Sequence, residues 1–156
     1  MNKTGTGYVE PNHLSGPRNG QIYAQLTPNS AIASLENGQF VKYDLAANEI
    51  NFTGAGEWMM VYCEMKNYSD VISDDAVMAY VAGKTPIPRL TKVNVGDIYT
   101  TNEVADGTVQ GDLLQPSATG LLTKIATPAV GVITLQATKE TTLPDGRAAV
   151  KLLRIA

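Results

Sequence analysis

Short apolar runs, each about the length of a β-strand, recur along this chain and are set apart by clusters of Gly, Pro, Asn, Asp and Ser. The turn-forming residues supply the backbone angles and side-chain-to-amide bonds that reverse a chain, so the pattern predicts a mainly β protein. The expected architecture is a small β-barrel or β-clip-like sandwich with one short helix and an extended N-terminal arm. Residues 1–20 are rich in Gly, Pro, Asn and Thr, with too few apolar positions for a core element. They read as an arm, disordered or extended until something binds it.

From Gln21 the pattern changes. Residues 22–26 read as a first strand, stopped by Thr27-Pro28-Asn29-Ser30. Asn37-Gly38 is the strongest hairpin signal, because a tight type I′ turn needs positive φ at both central residues. It is expected to join 31–36 to 39–44. After Gly54-Ala55-Gly56, the run from Glu57 to Glu64 is apolar on both of its alternating faces, which predicts a central strand buried on two sides. The only Trp, Trp58, falls in it. Ser73 is a plausible N-cap, with Asp74 and Asp75 against the positive helix end, so a short helix is expected over 73–82.

Residues 83–88 read as a linker between an N-terminal β unit (21–82) and a C-terminal one (89–156), two units that can also pack as one domain. The C-terminal unit opens with a phrase used twice, Val95-Gly96-Asp97-Ile98-Tyr99 and Gln110-Gly111-Asp112-Leu113-Leu114. Gly supplies angles that other residues resist, and Asp is expected to bond its own downstream amide. Strand-sized runs follow over 121–125, 130–135 and 148–155, with Asp145-Gly146 as the last hairpin turn.

At 156 residues and 44% apolar content, one packed domain is accommodated. Charged residues make up 17%, low for a soluble domain, which suits a surface packed against neighbours. The net charge of −3 argues against a nucleic-acid phosphate track. Acids outnumber bases nine to four over 1–78, whereas bases outnumber acids eight to six over 79–156. A single Cys excludes an internal disulfide, and neither a signal-peptide pattern nor a membrane-spanning apolar stretch stands out. The expectation is therefore a protein made in a cytosol, with no membrane partner.

Catalytic constellations are not found. The one His, His13, lies in the arm, where nothing would hold it in register as a base. Cys63 alternates with apolar neighbours and reads as an inert thiol. Glu57 and Glu64 fall on opposite faces of a strand, which separates them as an acid–base pair. Asp70, Asp74 and Asp75 lack the spacing of a calcium loop, and one Cys with one His cannot build a zinc site. Gly54-x-Gly56 lacks a third glycine and leads into a strand, and Gly5-x-Gly7 lies in the arm, so neither is a dinucleotide loop. The chain reads as a non-enzyme, with no cofactor and no metal.

Two groups of residues invite a binding role. Tyr8, Pro11, Leu14, Pro17 and Arg18 in the arm read as docking anchors, the prolines reducing the entropy lost on ordering. Arg147 and Lys151 share a side of the last strand on alternation. They are either a basic rim for an acidic partner or ordinary edge charges that discourage strand pairing.

From about Pro88 onward the chain resembles tailed-bacteriophage capsid decoration, or cement, proteins. The residues that carry the resemblance are Pro88-Arg89-Leu90, Gly96 through Asn102, Gly111-Asp112-Leu113-Leu114, Gly120 through Lys124, Gly131-Val132-Ile133, and Asp145 through Leu152. The resemblance implies a non-catalytic viral structural protein made in the bacterial host cytoplasm. It would sit on the capsid surface of the virion, at symmetry or pseudo-symmetry axes, with the major capsid protein as partner. It further implies a homo-oligomer, with a trimer favoured. The Trp58 strand region and the helix over 73–82 fall outside the pattern, while Asn37-Gly38-Gln39-Phe40-Val41 looks similar to the opening of related phage structural domains. Two other readings stay open: a carbohydrate- or host-surface-binding module displayed on a fibre, using exposed Tyr and Trp, and an enzyme on a clip-like scaffold.

Overall fold

The computed structural model describes residues 7–63, 80–83, 87–143 and 146–156. The fold is mainly β, as expected, and built from antiparallel sheets with one short helix. The elements are β1 (Val9–His13), α1 (Ser15–Arg18), β2 (Ile22–Tyr23), β3 (Ser34–Leu35), β4 (Phe40–Asp44), β5 (Glu49–Asn51) and β6 (Glu57–Val61). They continue with β7 (Tyr80–Val81), β8 (Leu90–Thr91), β9 (Ile98–Thr101), β10 (Leu113–Pro116), β11 (Leu122–Ile125), β12 (Leu135–Thr142) and β13 (Ala148–Arg154). Six strands form one sheet in the order β1-β9-β13-β12-β10-β11, and five form a second in the order β2-β8-β6-β4-β5. A β3–β7 pair forms a third, small layer.

The layers follow from alternation along β6. Trp58, Met60 and Tyr62 point to the cluster shared with the six-stranded sheet, where Phe40 and Met60 meet Tyr99, Leu114, Leu122, Leu135 and Leu152. Met59, Val61 and Cys63 point the other way, into a cluster with Leu26, Ile32, Leu35, Val41, Ile50, Tyr80 and Leu90. β6 lies between β4 and β8, and its apolar residues on both faces are what a middle strand between two apolar layers requires.

The strands ignore the boundary expected at 83–88. β1, from the N-terminal stretch, pairs with β9, and β8 pairs with β2 and β6. Residues 7–20 are accordingly not a free arm. Val9 and Leu14 are buried in the inter-sheet core, and backbone amides of the segment are held across the chain. Tyr8 N–H donates to Asn102 Oδ1 at 2.8 Å, and Ser15 N–H donates to Asp97 Oδ1 at 3.0 Å. The Gly/Pro content fits the tight turn at α1, where Gly16 is buried against β8 and Lys92.

Other expectations change for local reasons. Asn37-Gly38 does not close a hairpin: β3 pairs with β7, while β4 pairs with β5 and β6. The Asn37 side chain is spent on Cys63 N–H, which donates to Oδ1 at 2.7 Å, and only Gly38 of the two has positive φ (96°). The hairpin lies one strand later, between β4 and β5, where Asp44 Oδ1 accepts from Ala46 and Ala47 N–H and Asn48 takes φ 56°. The helix expected over 73–82 lies outside the described residues up to 79, and Tyr80–Val81 is strand β7. The run at 130–135 is mostly loop, and β12 begins only at Leu135.

The two Gly-Asp units form the same turn. Asp97 N–H donates to Asn94 carbonyl O at 3.0 Å, and Asp112 N–H donates to Val109 carbonyl O at 3.2 Å. Gly96 (φ 90°) and Gly111 (φ 96°) stand at the third turn position, where a type II turn demands positive φ. Each carboxylate bonds upstream, not downstream: Asn94 N–H donates to Asp97 Oδ2 at 2.8 Å, and Val109 N–H donates to Asp112 Oδ2 at 3.0 Å. The turn is thus closed by two reciprocal bonds between its first and fourth residues.

The second Gly-Asp turn has an electrostatic tie as well. Lys124 Nζ lies 2.6 Å from Asp112 Oδ1, and this bond, with the Val109 amide, holds the Asp112 carboxyl below its ordinary 3.8. A carboxyl lowered in the folded state contributes stability above its unfolded pKa and loses it as pH falls through the folded one. The urea-midpoint gap between the parent protein and Asp112→Asn should therefore be full at neutral pH and close as pH falls below 3.8.

Two buried hydroxyls, those of Thr91 and Tyr99, have no hydrogen-bond partner among the described residues. Tyr99 is fully buried, its hydroxyl has no hydrogen-bond partner among the described residues, and burial pushes its phenol strongly upward. Removing a buried hydroxyl that makes no bond removes its desolvation cost, so Tyr99→Phe should raise stability by about 1 kcal/mol, read as a higher urea midpoint.

Candidate functional site

The six-stranded sheet has one face buried in the core and one turned outward, and its register defines what the outward face carries. Residues directly opposite one another in antiparallel strands share a face. Pairing runs from His13 to Ile98, Leu153, Gln136, Leu113 and Ile125, one residue from each of the six strands. Their inward neighbours Tyr99, Leu114 and Leu152 are core, so this row faces out. Ile98, Leu153, Leu113 and Ile125 are half-buried, and His13 is exposed at the edge. Two apolar pairs, Ile98 with Leu153 and Leu113 with Ile125, therefore lie on the outer face, separated by Gln136 on β12.

Two rows flank this row. On one side, Gln115 and Thr134 lie beneath the loop before β12: Gln115 Nε2 donates to Thr134 Oγ1 at 2.9 Å and to Ala129 carbonyl O at 3.2 Å. This end also exposes Val95 (65%), Val130 (103%) and Ile155 (40%), three apolar side chains on turns or at the end of β13. On the other side, Glu10, Thr100, Lys151 and Lys139 stand opposite one another on β1, β9, β13 and β12. Thr100 Oγ1 donates to Asn12 Oδ1 at 2.7 Å. With Thr141, these residues line a recess of about 160 Å³.

The residues expected to dock are distributed differently. Leu14 is buried in this chain's own core, packed in one cluster with Phe40, Met60 and Tyr99, and is no anchor for a partner. Tyr8 and Pro17 are half-buried, and Pro11 and Arg18 are exposed. Pro11 sits on β1, the sheet's edge strand, where a missing N–H and the register shift between Glu10 and His13 discourage further strand pairing. Tyr8 and Pro11 border a hollow of about 380 Å³ with Asn37, Tyr62 and Cys63. Of the expected basic rim, Lys151 lies on the outer face, but its direct cross-strand neighbour is Lys139; Arg147 lies at the far end of β13, beside the turn.

Groups considered for other chemistry are occupied structurally. Burial raises the Cys63 thiol, and its Sγ accepts from Arg89 N–H at 3.3 Å. Trp58 is half-buried at the margin of the inter-sheet core, and Lys42 Nζ caps its ring at 5.1 Å from the centroid. Gly7 N–H donates to Glu36 Oε2 at 2.8 Å, a bond within the chain.

Comparison with family models, curated proteins and solved structures gives no match. The outer face must therefore be read on its own geometry. Sequence reading singled out Lys151 but missed Ile98, Leu113, Leu153 and Lys139. Alternation along β13 held part of the signal, since Lys151 and Leu153 are two residues apart and so share a side. Lys139 was hidden because the polar run after Leu135 does not look like a strand.

Proposed function

We propose that this protein is a non-catalytic capsid decoration protein that seats the outer face of its six-stranded sheet on the major capsid protein of a tailed phage and stabilises the head, as a homo-oligomer of three copies. The observation that carries the reading is the set of half-buried apolar residues Ile98, Leu153, Leu113 and Ile125 in one cross-strand row broken only by Gln136, with exposed Val95, Val130 and Ile155 at one end and the polar row of Glu10, Lys139 and Lys151 at the other. An apolar centre with a polar rim is the anatomy of a protein–protein interface. The resemblance over 88–156 supplies the particle and the partner, and the low charge content agrees with a surface that meets neighbours.

The test is co-sedimentation with heads of the encoding phage that lack the protein. Wild-type protein should pellet with the heads to saturation. Leu153→Glu, which places a charge in the middle of the row on a half-buried position, should keep its circular dichroism and Tm near the parent values and lose at least tenfold in head affinity. Saturation of the heads by Leu153→Glu at the wild-type concentration would remove this face as the interface, and failure of the wild type to pellet would remove the decoration reading. Deleting 1–20 is a poor test, because it strips β1, Val9 and Leu14 from the fold itself.

A further inference from the structure

We propose that the outer face reads a carboxylate on the partner protein: Lys139 and Lys151 hold it, while the Ile98–Leu153 part of the apolar row takes the side chain next to it. The inference rests on the docking reading above and names the chemistry of the surface that the face meets.

The carrying observation is a β-bulge. Along β12 and β13, Ala137 pairs with Leu152 and Lys139 pairs with Lys151, so Thr138 is an extra residue. A regular register would place Thr138 opposite Lys151. The bulge is pinned by Thr138 Oγ1, which donates to Lys151 carbonyl O at 3.0 Å. Bulges re-aim side chains. This one brings two lysines to directly opposed positions, an arrangement of like charges that costs stability.

Among the described residues no acid forms an ion pair with either lysine, although Glu10 lines the same recess. The one carboxylate of the row, Glu10, stands on β1, with β9 between it and β13, about 9–10 Å away at the strand spacing. Neither lysine makes an ion pair among the described residues. The recess of about 160 Å³ that they line with Glu10, Asn12, Thr100 and Thr141 has room for a group the size of a carboxylate at its lysine end. Leu153 follows Lys151 by two residues on β13, and Ile98 precedes Thr100 by two on β9. The apolar row thus runs about 7 Å from the lysines, the rise of two residues in a strand. A partner segment in extended conformation matches both rows at once when an acid and an apolar residue alternate on one side of it. The apolar row offers a phosphate backbone nothing, which favours an acidic protein segment over nucleic acid.

The intact protein, ¹⁵N-labelled, is titrated with the capped peptide acetyl-Thr-Leu-Thr-Glu-Thr-Leu-Thr-amide and amide shifts are followed by NMR. Shifts should concentrate at Ile98, Thr100, Lys139, Thr141, Lys151 and Leu153. Affinity should fall at least tenfold for the peptide with Gln in place of Glu, or for the Lys139→Gln/Lys151→Gln protein with a Tm no lower than the parent's, and should rise as salt is lowered. Equal binding of the Gln peptide, shifts elsewhere, or no binding overturns the proposal. So does tighter binding of a single-stranded oligonucleotide. Shifts at this face that depend on protein concentration without peptide would assign it to a second copy of the chain and likewise overturn the proposal. Head sedimentation separates the two readings: Lys139→Glu that pellets as the wild type does removes carboxylate recognition and leaves decoration standing, whereas peptide recognition by a protein that never pellets with heads leaves the face chemistry and removes decoration.

Discussion

Replacing Asp97 by Ala should cost about 3–5 kcal/mol of unfolding free energy, among the largest losses available to a single polar residue in this chain. Asp97 is 2% exposed, and its two carboxylate oxygens serve two different parts of the structure. Oδ2 closes its own turn by accepting from Asn94 N–H at 2.8 Å, and Oδ1 accepts from Ser15 N–H at 3.0 Å at the start of α1. Asn94 in turn donates from Nδ2 to Ser15 Oγ and Gln21 Oε1, so the carboxylate sits at the head of a network that ties residues 15–21 to 94–97. Hydrogen bonds to a charged acceptor are worth about 1.5–3 kcal/mol each, and Ala leaves two backbone donors without it. Asp112→Ala removes the same turn closure, but its other oxygen meets only Lys124, whose side chain is 61% exposed, and the loss should be clearly smaller. Urea unfolding of the two variants side by side measures the difference. Equal losses would mean that the Ser15 tie contributes nothing.

Gly120→Ala should be comparably damaging, by about 3–5 kcal/mol, for a different reason. Gly120 has φ 79°, a region where a side chain is strained, and a Cβ there would run into the Phe40 carbonyl oxygen and the Phe52 ring. Its carbonyl accepts from Phe40 N–H at 2.8 Å, which docks the β10–β11 turn of one sheet onto β4 of the other. Relief of the clash requires pulling the sheets apart at that point, and Phe40 is a fully buried member of the core between them. Gly131→Ala is the control, since Gly131 has a similar φ of 77° with open space around it. It should show the backbone strain alone, roughly 1–2 kcal/mol.

These two residues show what was legible in the sequence. Asp97 belongs to the twice-used Gly-Asp phrase and Gly120 to the stretch that carries the family resemblance, and the mainly β class followed from run length and turn residues alone. The middle position of β6 was readable because both alternating faces of Glu57–Val61 and its extension are apolar, a condition met only between two layers. Pairing partners were not readable. Nothing local to Val9 or Leu14 says that their neighbours lie beyond residue 90, so a short Gly/Pro-rich segment with two isolated apolar residues looks the same whether it is loose or inserted in a sheet. Asn37-Gly38 misled for a related reason, since it does form a tight turn, with Gln39 N–H donating to Glu36 carbonyl O at 3.3 Å, but the strands on either side of that turn pair with other partners. The outer face depended on one bulge at Thr138, which shifts a strand by one residue and leaves no mark in composition.

The position of β9 has a consequence for how the chain reaches this state. β9 lies between β1, far upstream, and β13, far downstream, and pairs with both. During synthesis it leaves the ribosome with one edge already claimable and the other empty, and the sheet cannot complete until Arg154 has emerged. Until then the apolar row and the inter-sheet core share an open seam, so the nascent chain is most exposed to wrong pairing just before its final strand arrives.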